Sequence, residues 1–182
     1  MNRDPFGGKS ASFDDPLAML SACHERIRRQ LDTLSRLERH LPEHGCDTDA
    51  RVAARAILRY FDAAAPHHHE DEEVDVFPRV VARAPECAAL VARLEEEHAA
   101  LAANWRHLRP LLAGIASGQR AVLPPKLVRD ATAAYIAHIE VEESELIPLA
   151  RELLPPEEVA AVGLAMARRR GVAPAGAQIT LE

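Results

Sequence analysis

Aromatic side chains are scarce in this sequence, with four Phe, two Tyr and one Trp among 182 residues. Pleated sheet surfaces favour aromatic and β-branched residues, whereas Ala, Leu, Arg and Glu are abundant here and favour helices, so an all-α fold is expected. Cysteine is sparse too. Cys23, Cys46 and Cys87 are an odd number without C-x-x-C spacing, which indicates neither a disulfide framework nor a thiolate zinc site and suits a reducing cytoplasm. No apolar run reaches membrane length, and Met1 to Ser12 lacks the apolar core of a signal peptide, so a soluble chain with no membrane partner is expected. Positive charge is not in excess. With a formal net charge of −6 and no basic stripe, binding of nucleic acid through its phosphates is not expected.

What is present is helical periodicity on a scale that suits one domain. Leu17, Leu20, Ile27, Leu31, Leu34 and Leu41 return to one face in steps of three and four, with Asp14 or Asp15 as cap before Pro16. Leu41-Pro42 through Gly45 and Asp47 reads as a loop, followed by a second helix from Asp49 to Ala82 or Arg83. Pro66 falls inside that helix and predicts a kink or a π-bulge before the histidine run; Pro78 is expected to bend or end it. A third helix from Pro85 to Ser117 carries Val91, Leu94, Leu101, Trp105, Leu108, Leu112 and Ile115 on one face, with Gly118 as its stop. The fourth starts at Pro124-Pro125 and ends at Leu153 or Leu154. A short fifth helix opens at Pro155-Pro156 and closes at Arg168-Arg169-Arg170-Gly171, where basic residues suit the negative end of the helix dipole. Short connections between long helices imply an up-down-up-down four-helix bundle over residues 14–171, with a flexible N-terminus (1–13) and a flexible tail (172–182).

The chemistry sits in a repeat. His68-x-x-x-Glu72-Glu73-x-x-Val76-Phe77-Pro78 in helix two matches His138-x-x-x-Glu142-Glu143-x-x-Leu146-Ile147-Pro148 in helix four, offset for offset. Residues four apart share a helix face, so each His/Glu pair can address one point in the core. Helices one and three each place a histidine where the stripe calls for an apolar residue: His24 between Leu20 and Ile27, and His98 between Leu94 and Leu101. Four inward histidines and two inward glutamates without a metal would bury polar groups at a cost of several kcal/mol. Two six-coordinate ions, bridged by both glutamates and by an oxide or hydroxide, would use this set and keep two positions open. Imidazole and carboxylate suit iron, with zinc or manganese behind it, and the absence of thiolate argues against copper(I) and iron–sulfur clusters. Open iron positions invite a small diatomic ligand, oxygen or nitric oxide, or peroxide.

These residues resemble the haemerythrin-like family of HHE cation-binding domains, which carry a histidine on helix one and repeated His-x-x-x-Glu-Glu segments ending in an apolar pair and proline. The resemblance covers Asp14 to Gly171. It implies a four-helix bundle with a non-haem di-iron centre held by His24, His68, Glu72, His98, His138 and Glu142, with Glu72 and Glu142 bridging. Oxygen-carrying haemerythrins have a second histidine one turn after that of helix three, where this sequence has Ala102. In ligand pattern the chain looks more like bacterial di-iron proteins implicated in iron-centre repair and nitric-oxide stress; their common N-terminal Cys-containing domain has no counterpart in these 182 residues.

Around the set, His67 and His69 are expected at the periphery or as neighbours of the ligands, and Cys23 off the ligand axis. Glu73 and Glu143 lie about 100° around the helix from the bridging candidates and are expected in a solvated acidic rim with Glu70, Asp71 and Glu140, the other reading being hydrogen bonds to ligands. Tyr135 either packs or donates to a bound oxygen species, and Trp105 is expected to close the bundle. The leading function is a di-iron binding protein that senses, stores or handles oxygen, nitric oxide or iron. The alternatives are a di-iron enzyme acting on peroxide or oxygen, for which no separate acid, nucleophile or substrate pocket can be read, and a structural or regulatory bundle with a single metal.

Overall fold

Asp15 starts the first helix, α1 (Pro16–His44), by accepting the Ala18 amide at 2.9 Å, with Pro16 in the first turn, where its missing N–H costs nothing. The structure, a computed structural model, describes residues 12–120 and 122–172. Apart from Ser12, Phe13 and Val172, the expected flexible N-terminus and tail lie outside the described residues. No strand occurs among the described residues, and no described helix is long and apolar enough to cross a membrane.

The expected break at Leu41-Pro42 does not occur. α1 runs through Pro42 to His44 and stops at Gly45, whose φ of 63° suits glycine and whose amide returns to the Leu41 carbonyl at 2.9 Å. A proline this near the end removes only one backbone bond from a turn that frays anyway. α2 occupies residues 48–83, starting from Asp47, which caps the Ala50 amide at 2.8 Å. It comprises α-helix Thr48–Arg59, a π-turn Tyr60–Ala64, α-helix Ala65–Glu70, a second π-turn Asp71–Val76 and α-helix Phe77–Arg83. A 3₁₀ turn, Pro85–Cys87, leads into α3 (Ala88–Ala116), which contains Pro110 and ends before Gly118 at φ 81°. α4 occupies residues 125–153, as α-helix Pro125–Val141, a π-turn Glu142–Leu146 and α-helix Ile147–Leu153. α5 is Pro156–Arg169.

The three π-turns share one cause. Ala65, Phe77 and Ile147 each donate to the carbonyl five residues back, Tyr60, Glu72 and Glu142 respectively, and each is followed by a proline. A proline ring clashes with the carbonyl four residues before it, and widening the turn by one residue makes room without ending the helix. The bulge expected at Pro66 is therefore present, while Pro78 neither ends α2 nor acts alone, since Pro148 repeats it in α4. Two of the three wide turns thus begin at or just before a glutamate of the repeat.

Two apolar clusters flank a polar slab. Ile27, Leu31, Ile57, Leu101, Leu112, Tyr135 and their neighbours fill one end of the helical bundle. Leu17, Leu20, Phe77, Val80, Leu94, Leu146 and Met166 fill the other. His24 falls between Leu20 of the second cluster and Ile27 of the first, and His98 between Leu94 and Leu101, so the histidines occupy the level where the apolar packing is interrupted. α5 closes the second end, packed on α1 and on the π-turn of α2. There Gly163 lets the chain pass closely, for a Cβ on it would meet the Phe13 carbonyl oxygen at 1.9 Å.

Candidate metal centre

The six expected ligands reach the slab from four helices: His24 from α1, His68 and Glu72 from α2, His98 from α3, and His138 and Glu142 from α4. None is more than 3 % exposed. His24 and His68 face each other through their Nε2 atoms at 3.1 Å. On that side, Glu72 Oε1 lies 3.5 Å from His68 Nε2 and 3.9 Å from His24 Nε2, and Glu142 Oε2 lies 3.0 Å from His24 Nε2. The other oxygens turn the opposite way. Glu72 Oε2 is 3.5 Å from His98 Nε2, and Glu142 Oε1 is 3.0 Å from His138 Nε2 and 3.6 Å from His98 Nε2. Each carboxylate therefore spans two pairs of imidazoles, one oxygen to each pair.

The donor set fits a metal. Both oxygens of Glu72 and of Glu142, and the Nε2 atoms of His98 and His138, are buried without a hydrogen-bond partner among the described residues. The imidazole nitrogens approach the carboxylates closely without aiming an N–H at them, which is how donors stand when they converge on a common point. Burial, reinforced by the neighbouring Glu142, pushes the Glu72 carboxyl well above its ordinary range. Burial would raise Glu142 as well, but close approach by His138, His24 and His98 outweighs it and holds that carboxyl well below. The protein's own groups thus ionise one glutamate of the pair, and a cation between them would allow both to be charged. Burial also keeps His68 neutral, its pKa pushed down to about 3, with its lone pair free for a ligand bond.

Glu73, which is exposed, and Glu143, which is half-buried, stand at the expected solvated rim and also serve as orienting acceptors. His24 Nδ1 donates to Glu143 at 2.5 Å, and His98 Nδ1 donates to Glu73 at 2.7 Å. Such bonds place the proton on Nδ1 and leave Nε2 as the donor atom toward the centre. Glu97, which sequence reasoning missed, does the same for His138 at 2.9 Å and is itself held by Arg93 at 2.8 Å. Its only signal in the sequence was its place immediately before His98. Burial opposes the outcome, but Glu142 and Glu97 together raise the His138 pKa.

Asp71, unlike Glu73 and Glu143, departs from the expected rim. It is fully buried and accepts from Arg169 at the end of α5 and from Arg170 just beyond it, the latter at 2.5 Å and 3.1 Å, because the wide turn that follows Glu70 swings it under the fifth helix. His67 stays peripheral, 3.7 Å from Glu70, whereas His69 stacks on His98 with ring centroids 3.9 Å apart. Tyr135 packs against Phe61, and Trp105 ties α3 to α2 by donating to Asp62 at 3.1 Å. Cys23 is buried, and burial pushes its thiol up, away from the thiolate that would bind metal.

Comparison with known proteins agrees with this construction. Residues 15–150 match the hemerythrin HHE cation binding domain. An uncharacterized protein of Haemophilus influenzae is 36 % identical over 162 residues, covering 89 % of this chain and 94 % of the relative. The His/Glu repeat, its convergence in the helical bundle and the match over most of the chain agree: this protein belongs to the hemerythrin HHE cation-binding family.

Proposed function

We propose that the chain is a non-haem di-iron protein that senses, stores or handles oxygen, nitric oxide or iron in the cytoplasm, built as an up-down-up-down four-helix bundle with α5 packed across one end. The observation that carries this reading is the division of both carboxylates between two imidazole pairs, with all four oxygens buried and without a hydrogen-bond partner among the described residues. His24, His68, Glu72 and Glu142 alone would satisfy one tetrahedral ion. That arrangement leaves His98, His138 and one oxygen of each glutamate buried with nothing to bind, which favours a second ion.

Iron bound here would supply open coordination positions and one-electron chemistry. The chain's own residues do the rest. Glu143, Glu73 and Glu97 fix the tautomer and aim of three imidazoles, Glu72 and Glu142 balance the charge, and the apolar clusters at both ends keep bulk water out of the slab.

The test is metal content per chain on freshly purified protein from iron-replete cells, with visible absorption before and after reduction and re-exposure to air. Two irons per chain with a band that bleaches on reduction is the expected result. Glu72→Gln and Glu142→Gln should each hold one iron or fewer, because each removes a ligand charge from both ions. One zinc per chain, or no metal, would end the di-iron reading.

A further inference from the structure

Beside the centre, α2, α3 and α4 leave an open cleft of about 290 Å³. Phe61, Ala65, Trp105 and Tyr135 give it apolar walls, and Ala102, one turn beyond His98, contributes only a methyl group where a larger side chain would fill the space. His69 lines the same cleft and also reaches the ligand set. Its ring lies nearly parallel to that of His98, 11° between planes, and meets His138 edge-on with centroids 6.1 Å apart. One ring nitrogen from each of His69, His98 and His138 falls within 4.8 Å of the other two. His69 Nε2 is buried and has no hydrogen-bond partner among the described residues.

The stacking decides what that nitrogen can do. An imidazole binds a metal along a lone pair in the plane of its ring. An ion in the plane of His98 stands off the plane of His69 by about the stacking distance, where His69 has no lone pair to offer. His69 is therefore placed to meet something bound to an ion there rather than the ion itself. A buried polar nitrogen without a partner is costly, and a small ligand that accepts its proton would relieve that cost.

We propose that the cleft at Ala102 is the entry route for a small ligand with a lone pair, of the size of a diatomic or triatomic molecule. His69, with its proton on Nε2, is the residue that hydrogen-bonds this ligand on the His98/His138 side of the centre. The inference rests on the di-metal reading above. Apolar walls admit an uncharged diatomic without desolvation, and the Nε2–H can donate a hydrogen bond to a lone pair on its outer atom. Arg106, also lining the cleft, adds attraction for a small anion.

The test uses the full-length, iron-loaded chain with azide as probe, read from its ligand-to-metal absorption band. Iron per chain is measured first for wild type, His69→Phe, His69→Gln and Ala102→Leu. Two irons in each, azide bound about tenfold or more weakly by His69→Phe, and partial recovery in His69→Gln, which keeps a donor, are expected for the loss of one hydrogen bond to a charged ligand. Ala102→Leu should slow association and dissociation alike by about tenfold with little change in affinity, the signature of a blocked route. Affinity within twofold of wild type in His69→Phe, or wild-type association in Ala102→Leu, overturns the proposal, as does loss of one iron in His69→Phe, which would make His69 a ligand. A wild-type chain holding fewer than two irons fails at the first measurement, and the di-metal reading and this inference fall together.

Discussion

Replacing both Arg169, the last residue of α5, and Arg170, which follows it, by alanine should lower the stability of this protein. Asp71 is fully buried, and its two oxygens are held by these guanidinium groups, which are themselves only 13 % and 22 % exposed; Arg169 also reaches Asp75 at 2.8 Å. Without them a carboxylate stays buried with no partner, a loss of about 3–5 kcal/mol for a broken buried ion pair. Because the guanidiniums retain some solvent contact, about 3 kcal/mol is the better figure. For a chain of this length that corresponds to a fall of roughly 6–12 °C in Tm. Thermal unfolding followed by far-ultraviolet circular dichroism measures it. Adding Asp71→Leu to the double variant removes the stranded charge and should recover most of the loss. A fall of less than about 2 °C in the double variant, or no recovery in the triple, would refute the view that α5 is fastened to α2 by a buried charge pair. The location matters for function, since Asp71 and Glu72 are neighbours in one wide turn.

Glu97→Ala should leave the fold intact and weaken metal on the His98/His138 side by roughly tenfold to a hundredfold, the usual cost of removing a carboxylate that orients a metal-binding histidine; competition against a chelator of known affinity measures it. Asp47 should show in the acid limb of unfolding. Its carboxyl is held below the ordinary value of 3.8 by the Ala50 amide first and by His40 second. A lowered folded pKa means that its contribution is complete above about pH 4 and is lost as the pH falls through the folded value. Asp47→Ser, which caps without titrating, should flatten that part of the stability curve, and an unchanged acid limb would count against the assignment.

The helices, their rough ends and the six convergent residues were legible in the sequence because all of them follow from spacing along a helix. An apolar stripe with a histidine inserted at its interior step places that histidine inward, and a His-x-x-x-Glu pair shares one face whatever the helix packs against. Pro66 was legible as a bulge for the same local reason. Pro42 was not, because whether a proline ends a helix or is tolerated in its last turn depends on what the following residues pack against. Only the tertiary structure decided the roles of Glu73, Glu143 and Glu97: a residue about 100° off the ligand axis faces either water or a neighbouring helix, and helix spacing alone cannot tell which. The same holds for Asp71, which a widened turn and a fifth helix take out of solvent, and for His69, whose face-to-face position on His98 depends on how α2 and α3 approach each other. Periodicity within one helix identified the six residues that converge in the core. The orienting carboxylates, the charge pair and the cleft arise from contacts between helices.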